Sequence, residues 1–123
     1  MSAMTRLTAA AAFVLAAGAA EAADAGKGEK LFVECASCHT LNASGEGVGP
    51  GLKGLFGRKA GSLEDFRYSA AMRRSAITWN AQTLEAYLAD PQKEVPGNRM
   101  PYSGMPNAAD RADLIAYLQT ATK

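Results

Sequence analysis

Residues 35–39 read Cys-Ala-Ser-Cys-His, and this pentad holds both cysteines and the only histidine of the chain. No other feature constrains the fold as strongly, because C-x-x-C-H is the spacing of a c-type haem attachment site. Two thiols three positions apart lie on one side of a helical turn. From there they can add to the two vinyl groups on one edge of a porphyrin. The adjacent imidazole then falls beneath the iron and binds it axially. On this reading Cys35 and Cys38 are thioether anchors and His39 is the proximal iron ligand.

Three other readings compete for the same residues. A C-x-x-C pair alone is also the redox dithiol of thioredoxin-like proteins, but that reading wants a βαβ pattern and the chain has no convincing strand run. A structural zinc site needs four ligands, whereas this chain offers three, crowded into one turn. A chance match to a five-residue pattern is the third. With His39 committed, no second imidazole exists, so bis-histidine ligation within one chain is excluded. The opposite side of the iron is left to Met, Lys, a terminal amine, water or nothing. A thioether there raises the potential, and of five methionines two lie late in the chain, Met100 and Met105.

The N-terminal stretch reads as a leader. Met1 to Thr8 carries Arg6 and no acid, and Ala9 to Ala20 is an alanine-rich apolar run with Phe13, Val14 and Leu15. Ala20-Glu21-Ala22 then offers a small-residue cleavage site, which completes a secretory signal peptide pattern. Cleavage is expected after Ala22, with Ala23 as the rival, so that residues 1–22 are removed. A retained anchor is disfavoured, since spanning takes about 20 apolar residues. Export agrees with the pentad, because covalent haem attachment takes place outside the cytoplasm. Residues 23–123 then make one small domain with a thin core, for which a porphyrin would serve as the apolar centre. The formal net charge of +1 argues against nucleic acid and against a strongly basic docking face. No other transmembrane run and no internal repeat are visible.

Along the mature region, Gly26 to Cys35 reads as a helix leading into the pentad, with Leu31 and Phe32 on its apolar face. Residues 42–61 carry Gly45, Gly47, Gly49, Gly51, Gly54 and Gly57, a density that denies regular helix and suits a loop wrapped on a flat cofactor. Pro50 sits in that loop, where its carbonyl can accept the His39 Nδ1–H and orient the ring. A short helix is expected over 69–75. Asn80 is a candidate N-cap for a helix to Ala89, in which Leu84, Tyr87 and Leu88 fall at the spacing of a buried stripe. Pro91 should stop it, leaving 92–105 as an irregular, ordered strap. Asn107 then caps a last helix from about Ala108 to Thr120, with Leu114, Ile115, Tyr117 and Leu118 on its apolar face.

Beyond the pentad, Gly49-Pro50-Gly51-Leu52, Gly54 to Lys59, Ile77-Thr78-Trp79, Pro96 to Met100 and Asp113 to Leu118 follow in an order and at a spacing that resemble the class I cytochromes c. These are the monohaem carriers that include mitochondrial cytochrome c and bacterial cytochrome c2. The likeness covers nearly the whole mature region. It implies an all-α, small cytochrome c fold of about four to five helices, with long loops wrapped around one covalent haem c. It assigns the distal ligand to Met100, with Met105 as the rival, and gives Pro50 the carbonyl that supports His39. It makes Tyr68 and Trp79 donors to a haem propionate, Arg58 a nearby positive charge, and Tyr87 the neighbour of the methionine sulfur. Gly28, Phe32, Leu114 and Tyr117 become the contact between first and last helices.

The chain also departs from that family. Met72 stands where Asn is common, Asn98 where Thr is common, and Tyr102 replaces a phenylalanine at the haem edge. Gln92, Pro106 and Asn107 occupy positions that are usually basic, which leaves Lys53, Lys59, Lys93 and Arg99 as docking charges. The resemblance implies a one-electron carrier rather than an enzyme, since two filled axial positions leave no open site for a substrate. Its expected location is the bacterial periplasm. Expected partners are redox proteins: a quinol–cytochrome c oxidoreductase, a terminal oxidase, a photosynthetic reaction centre or a dehydrogenase. No nucleic acid, no stable membrane insertion and a monomeric state are expected. The competing functions are a dedicated haem subunit of one periplasmic oxidoreductase, and a peroxidase or gas-binding protein with an open iron position.

Overall fold

The computed structural model describes residues 9–14, 22–43, 45 and 47–123. The expected leader, residues 1–22, lies mostly outside the described residues; within it Phe13 and Val14 are almost fully exposed.

Most of the helices begin where the sequence supplies a side-chain oxygen to cap them. Asp24 accepts from the N–H groups of Gly26 and Lys27 at 2.9 and 3.2 Å and so starts α1, Ala25–Leu31. Capping of this kind satisfies donors that have no partner inside the helix. Phe32 keeps helical angles (φ −63°, ψ −18°) and links α1 to α2, Val33–Ala36. The single helix expected over 26–35 is therefore two segments joined through one residue. Ser69 caps α3, Ala70–Arg74, through the N–H of Met72. Asn80 and Thr83 form a reciprocal capping box at the start of α4, Ala81–Ala89. Asn107 caps α6, Ala108–Ala121.

One element was not expected. Pro91 ends α4 but also occupies the first turn of a further short helix, α5, Pro91–Glu94, capped by the Asp90 carboxylate. Proline suits that position because its missing N–H would have no helical partner there. The strap expected over 92–105 thus opens with a helical turn. Among the described residues six helices stand where four to five were anticipated, two of them only four residues long. Among the described residues the sole β pairing is an isolated antiparallel bridge between Lys59 and Thr78.

The first and last helices cross at Gly28, which is buried. A Cβ placed there would stand 2.7 Å from the Asp113 carbonyl carbon and 2.8 Å from Tyr117 Cβ, with the Asp113 oxygen closer still. Only glycine allows the two backbones this approach. The Phe32 and Tyr117 rings meet beside it, centroids 5.6 Å apart. The Asp24 N–H donates to the Asp113 carboxylate at 2.7 Å. The buried stripe of α4, Leu84, Tyr87 and Leu88, joins Leu114, Ile115 and Leu118 of α6 in the core. The glycine-rich loop is stitched down rather than free. Gly57 N–H donates to Trp79 O at 2.7 Å, and Trp79 N–H returns a bond to Arg58 O at 2.9 Å. Among the described residues no helix is long and apolar enough to cross a membrane.

Candidate haem site

The pentad lies on α2 and the turn after it, where the N–H groups of Cys38 and His39 both donate to Cys35 O. This tight winding keeps Cys35, Cys38 and His39 within one turn, all three half-buried. The glycine loop then folds back under the imidazole. His39 Nδ1 lies 2.8 Å from Pro50 O. A carbonyl only accepts, so Nδ1 carries the proton and Nε2 is left as a free lone pair. Gly49 forms the floor of this arrangement. A Cβ on it would stand 2.6 Å from His39 Cε1 and 2.8 Å from Nδ1, so a side chain there would push the ring aside. Gly49 was legible as part of the loop but not as a ring support; the signal is its place immediately before Pro50.

Both cysteines are free thiols in the chain. Burial, then Glu34, then Cys38 push the Cys35 thiol up. Thioredoxin-like dithiols need the opposite, a stabilised thiolate. The zinc reading also lacks support: among the described residues no three of His, Cys, Asp and Glu converge as metal ligands.

The remaining candidates form a second group. Met100 is half-buried at the rim of the core, with its sulfur 3.9 Å from the Tyr87 hydroxyl. Burial pushes that hydroxyl up to about 12, so it stays protonated and can donate to sulfur. Trp79 packs edge-on against Tyr87, centroids 5.0 Å apart. Met105, the rival, is 6% exposed inside the core cluster, and its N–H donates to Leu88 O at 2.7 Å. Tyr68 is buried, and its hydroxyl accepts from Leu63 N–H at 3.3 Å. Burial raises its pKa, partly countered by that bond and by Arg58 nearby. Arg58 donates from Nη1 to Gly51 O at 2.8 Å and from Nη2 to Lys53 O. Its two backbone bonds fix it beneath the loop. Among the described residues no carboxylate lies within ion-pair distance of it, Arg111–Glu85 being the pair found there.

Tyr102 is half-buried against the core cluster, and burial, followed by Cys35 and Glu34, raises its pKa. Of the expected docking charges, Arg99 turns one nitrogen inward to Tyr68 O at 3.0 Å. Among the described residues no hydrogen bond joins Cys35, Cys38, His39 or Pro50 to Met100 or Tyr87. Their donor chemistry fits a haem: two thiols, one imidazole, one thioether, and a cation with no carboxylate within ion-pair distance among the described residues.

The chain is similar to known proteins over most of its length. The cytochrome c family model matches residues 25–122. A cytochrome c2 of Rhodoblastus acidophilus is 46% identical over 98 residues, which span 79% of this chain and 92% of that one. A cytochrome c of Stellaria longipes is 50% identical over 103 residues, 81% of this chain and 94% of the relative. Among solved structures, cytochrome cH from Methylobacterium extorquens superposes with a TM-score of 0.73 at 44% identity. That match covers 79% of this chain and 98% of the other.

Proposed function

This chain belongs to the cytochrome c family, whose members are electron carriers rather than enzymes and bear a covalent c-type haem, and from that premise we propose a specific site. Cys35 and Cys38 would form the two thioethers, and His39 Nε2 and the Met100 thioether would ligate the iron. Held in this way, a haem would supply one-electron ferric–ferrous chemistry.

The chain's own residues do the rest. Pro50 and Gly49 fix the imidazole in one tautomer and one orientation. Tyr87 donates to the Met100 sulfur and holds that side chain in place. Tyr68, Trp79 and Arg58 supply donors and positive charge for the propionates. With His39 and Met100 both committed to the iron, no position on it would remain for a substrate. The observation that carries the reading is the His39 Nδ1 contact with Pro50 O at 2.8 Å, because it leaves one ring nitrogen available and aims it.

We place residues 1–22 as a cleaved leader and residues 23–123 as the haem domain, working as a monomer in the bacterial periplasm. Phe13 and Val14, exposed and unpacked, support a segment that is not part of the domain. The partners are membrane redox complexes or soluble dehydrogenases of a respiratory or photosynthetic chain. Docking is brief, since redox encounters use small interfaces, and Lys53, Lys59 and Lys93 contribute steering charge.

The test is a mediated redox titration of the protein purified from a haem-maturing host, followed by exposure of the ferrous form to carbon monoxide. A reversible one-electron curve and no rapid carbon monoxide uptake are expected. Rapid uptake would mean an open iron position and would refute the two-ligand site.

A further inference from the structure

Asn98 is 7% exposed, and its side chain is fully committed to backbone groups. Its Nδ2 donates to Pro91 O and to Val95 O, each at 3.0 Å. Its Oδ1 accepts the Met100 N–H at 2.9 Å. Its own backbone N–H donates to Val95 O at 3.0 Å. Gln92 braces the same turn from outside: its Nε2 donates to Asn98 O at 2.9 Å and its Oε1 accepts from Gly97 N–H at 3.1 Å. One amide thus ties the two carbonyls at the ends of α5 to the main chain of the residue that carries the thioether. No other side chain among the described residues bonds to the Met100 backbone. A threonine, with one hydroxyl on a shorter stem, cannot offer two donors and an acceptor at once.

We infer that Asn98 is a positioning residue for Met100: its amide holds the segment that presents the thioether, and so sets how readily that thioether leaves the iron. This rests on Met100 being the distal ligand. Loss of the amide leaves the part-buried Met100 N–H without its partner and takes one of two donors from each of the Pro91 and Val95 carbonyls, which keep the Val95 and Asn98 N–H groups; a donor shut off from water without a partner is costly. The strap then opens more often while α1, α4 and α6, to which Asn98 makes no hydrogen bond among the described residues, stay closed.

The test uses ferric holoprotein with imidazole as the probe. At saturating imidazole, uptake is limited by departure of the Met100 thioether. Asn98→Leu, similar in size but unable to hydrogen-bond, is expected to raise the limiting rate about tenfold or more. Asn98→Asp keeps an acceptor for Met100 but turns an oxygen onto Pro91 O and Val95 O, and should raise it similarly. Amide exchange at Met100 should quicken in parallel. Ile115→Val, a core change on α6, serves as the stability control and should leave the limiting rate unaltered. Limiting rates within about twofold of the parent in both Asn98 variants, or an equal rise in Ile115→Val, would overturn the inference. Should neither Asn98 variant accumulate as holoprotein, Gln92→Ala removes only the outer brace from an exposed position. It should raise the rate about two- to fivefold, and an unchanged rate would count against the inference. A Met100→Ala protein with an unaltered ferric spectrum would overturn the ligand assignment itself, whatever the Asn98 variants show.

Discussion

Replacing Gly28 by alanine adds one methyl group at the crossing of α1 and α6. On helix propensity alone the change is favourable by about 1 kcal/mol. The structure predicts the opposite sign. The new Cβ would sit 2.7 Å from the Asp113 carbonyl carbon and 2.8 Å from Tyr117 Cβ, where ordinary contact begins at 3.4 Å. The atoms in the way are backbone and the root of a side chain, so neither can rotate aside. The helices must part by about 0.7 Å or more, which loosens the Phe32–Tyr117 contact and strains the Asp24–Asp113 bond. Overpacking of this kind costs about 1–3 kcal/mol, and more where only backbone can yield. The net loss is therefore about 1–2 kcal/mol. For a domain of this size that lowers the melting temperature by roughly 5–15 °C. The assay is thermal unfolding of ferric holoprotein followed by circular dichroism. Gly26→Ala, two residues earlier on an exposed face and 3.1 Å from the movable Asp24 carboxylate, is the control and should change little. If Gly28→Ala melts at or above the parent, the crossing is not as close as described and the reasoning fails.

Further outcomes follow from the site and its surroundings. Burial raises Tyr87 to about 12, so between pH 10 and 12 the unfolded chain has lost a proton that the folded protein keeps. Stability is then full below about pH 10 and falls as pH rises through that window, by up to about 1.4 kcal/mol per pH unit. Denaturant titrations of Tyr87→Phe should show a shallower decline; an identical slope would remove Tyr87 as its source. Tyr68 and Tyr102, also raised, leave some slope of the same sign. Gly49→Ala should tilt or displace the His39 ring, read as an altered ferric spectrum and a lower yield of haem-loaded protein, whereas a parental spectrum and yield would show that the loop relaxes freely. Arg111→Ala removes the bonds to Glu85 at 2.5 Å and to Met105 O at 2.7 Å and should cost about 1–2 kcal/mol in a denaturant melt; no change would mean that solvent replaces both.

The elements that were legible in the sequence are those whose information is local. Asn80 and Asn107 mark α4 and α6 because a capping oxygen and an apolar stripe lie within a few positions of each other. The pentad is legible for the same reason. α5 was missed because Pro91 reads equally as a stop and as a first-turn residue, and only the Asp90 cap decides. The break at Phe32 leaves no trace because its angles remain helical. The Asn98 clamp was visible only as a departure from threonine, since two of its acceptors, Pro91 O and Val95 O, come into place when α5 winds. The basic residues were harder still: Arg58 reads as a charge beside a haem propionate and Arg99 as a docking charge, but Arg58 spends a nitrogen on the Gly51 carbonyl of its own loop and Arg99 one on the Tyr68 carbonyl.

The central claim is that one nitrogen from His39 and one sulfur from Met100 grip the same iron. X-ray absorption at the iron edge of the purified ferric protein tests it directly. A single sulfur neighbour at bonding distance is expected, lost in Met100→Ala and kept in Met105→Ala. A first shell with no sulfur, or a sulfur that disappears with Met105 instead, would contradict the account.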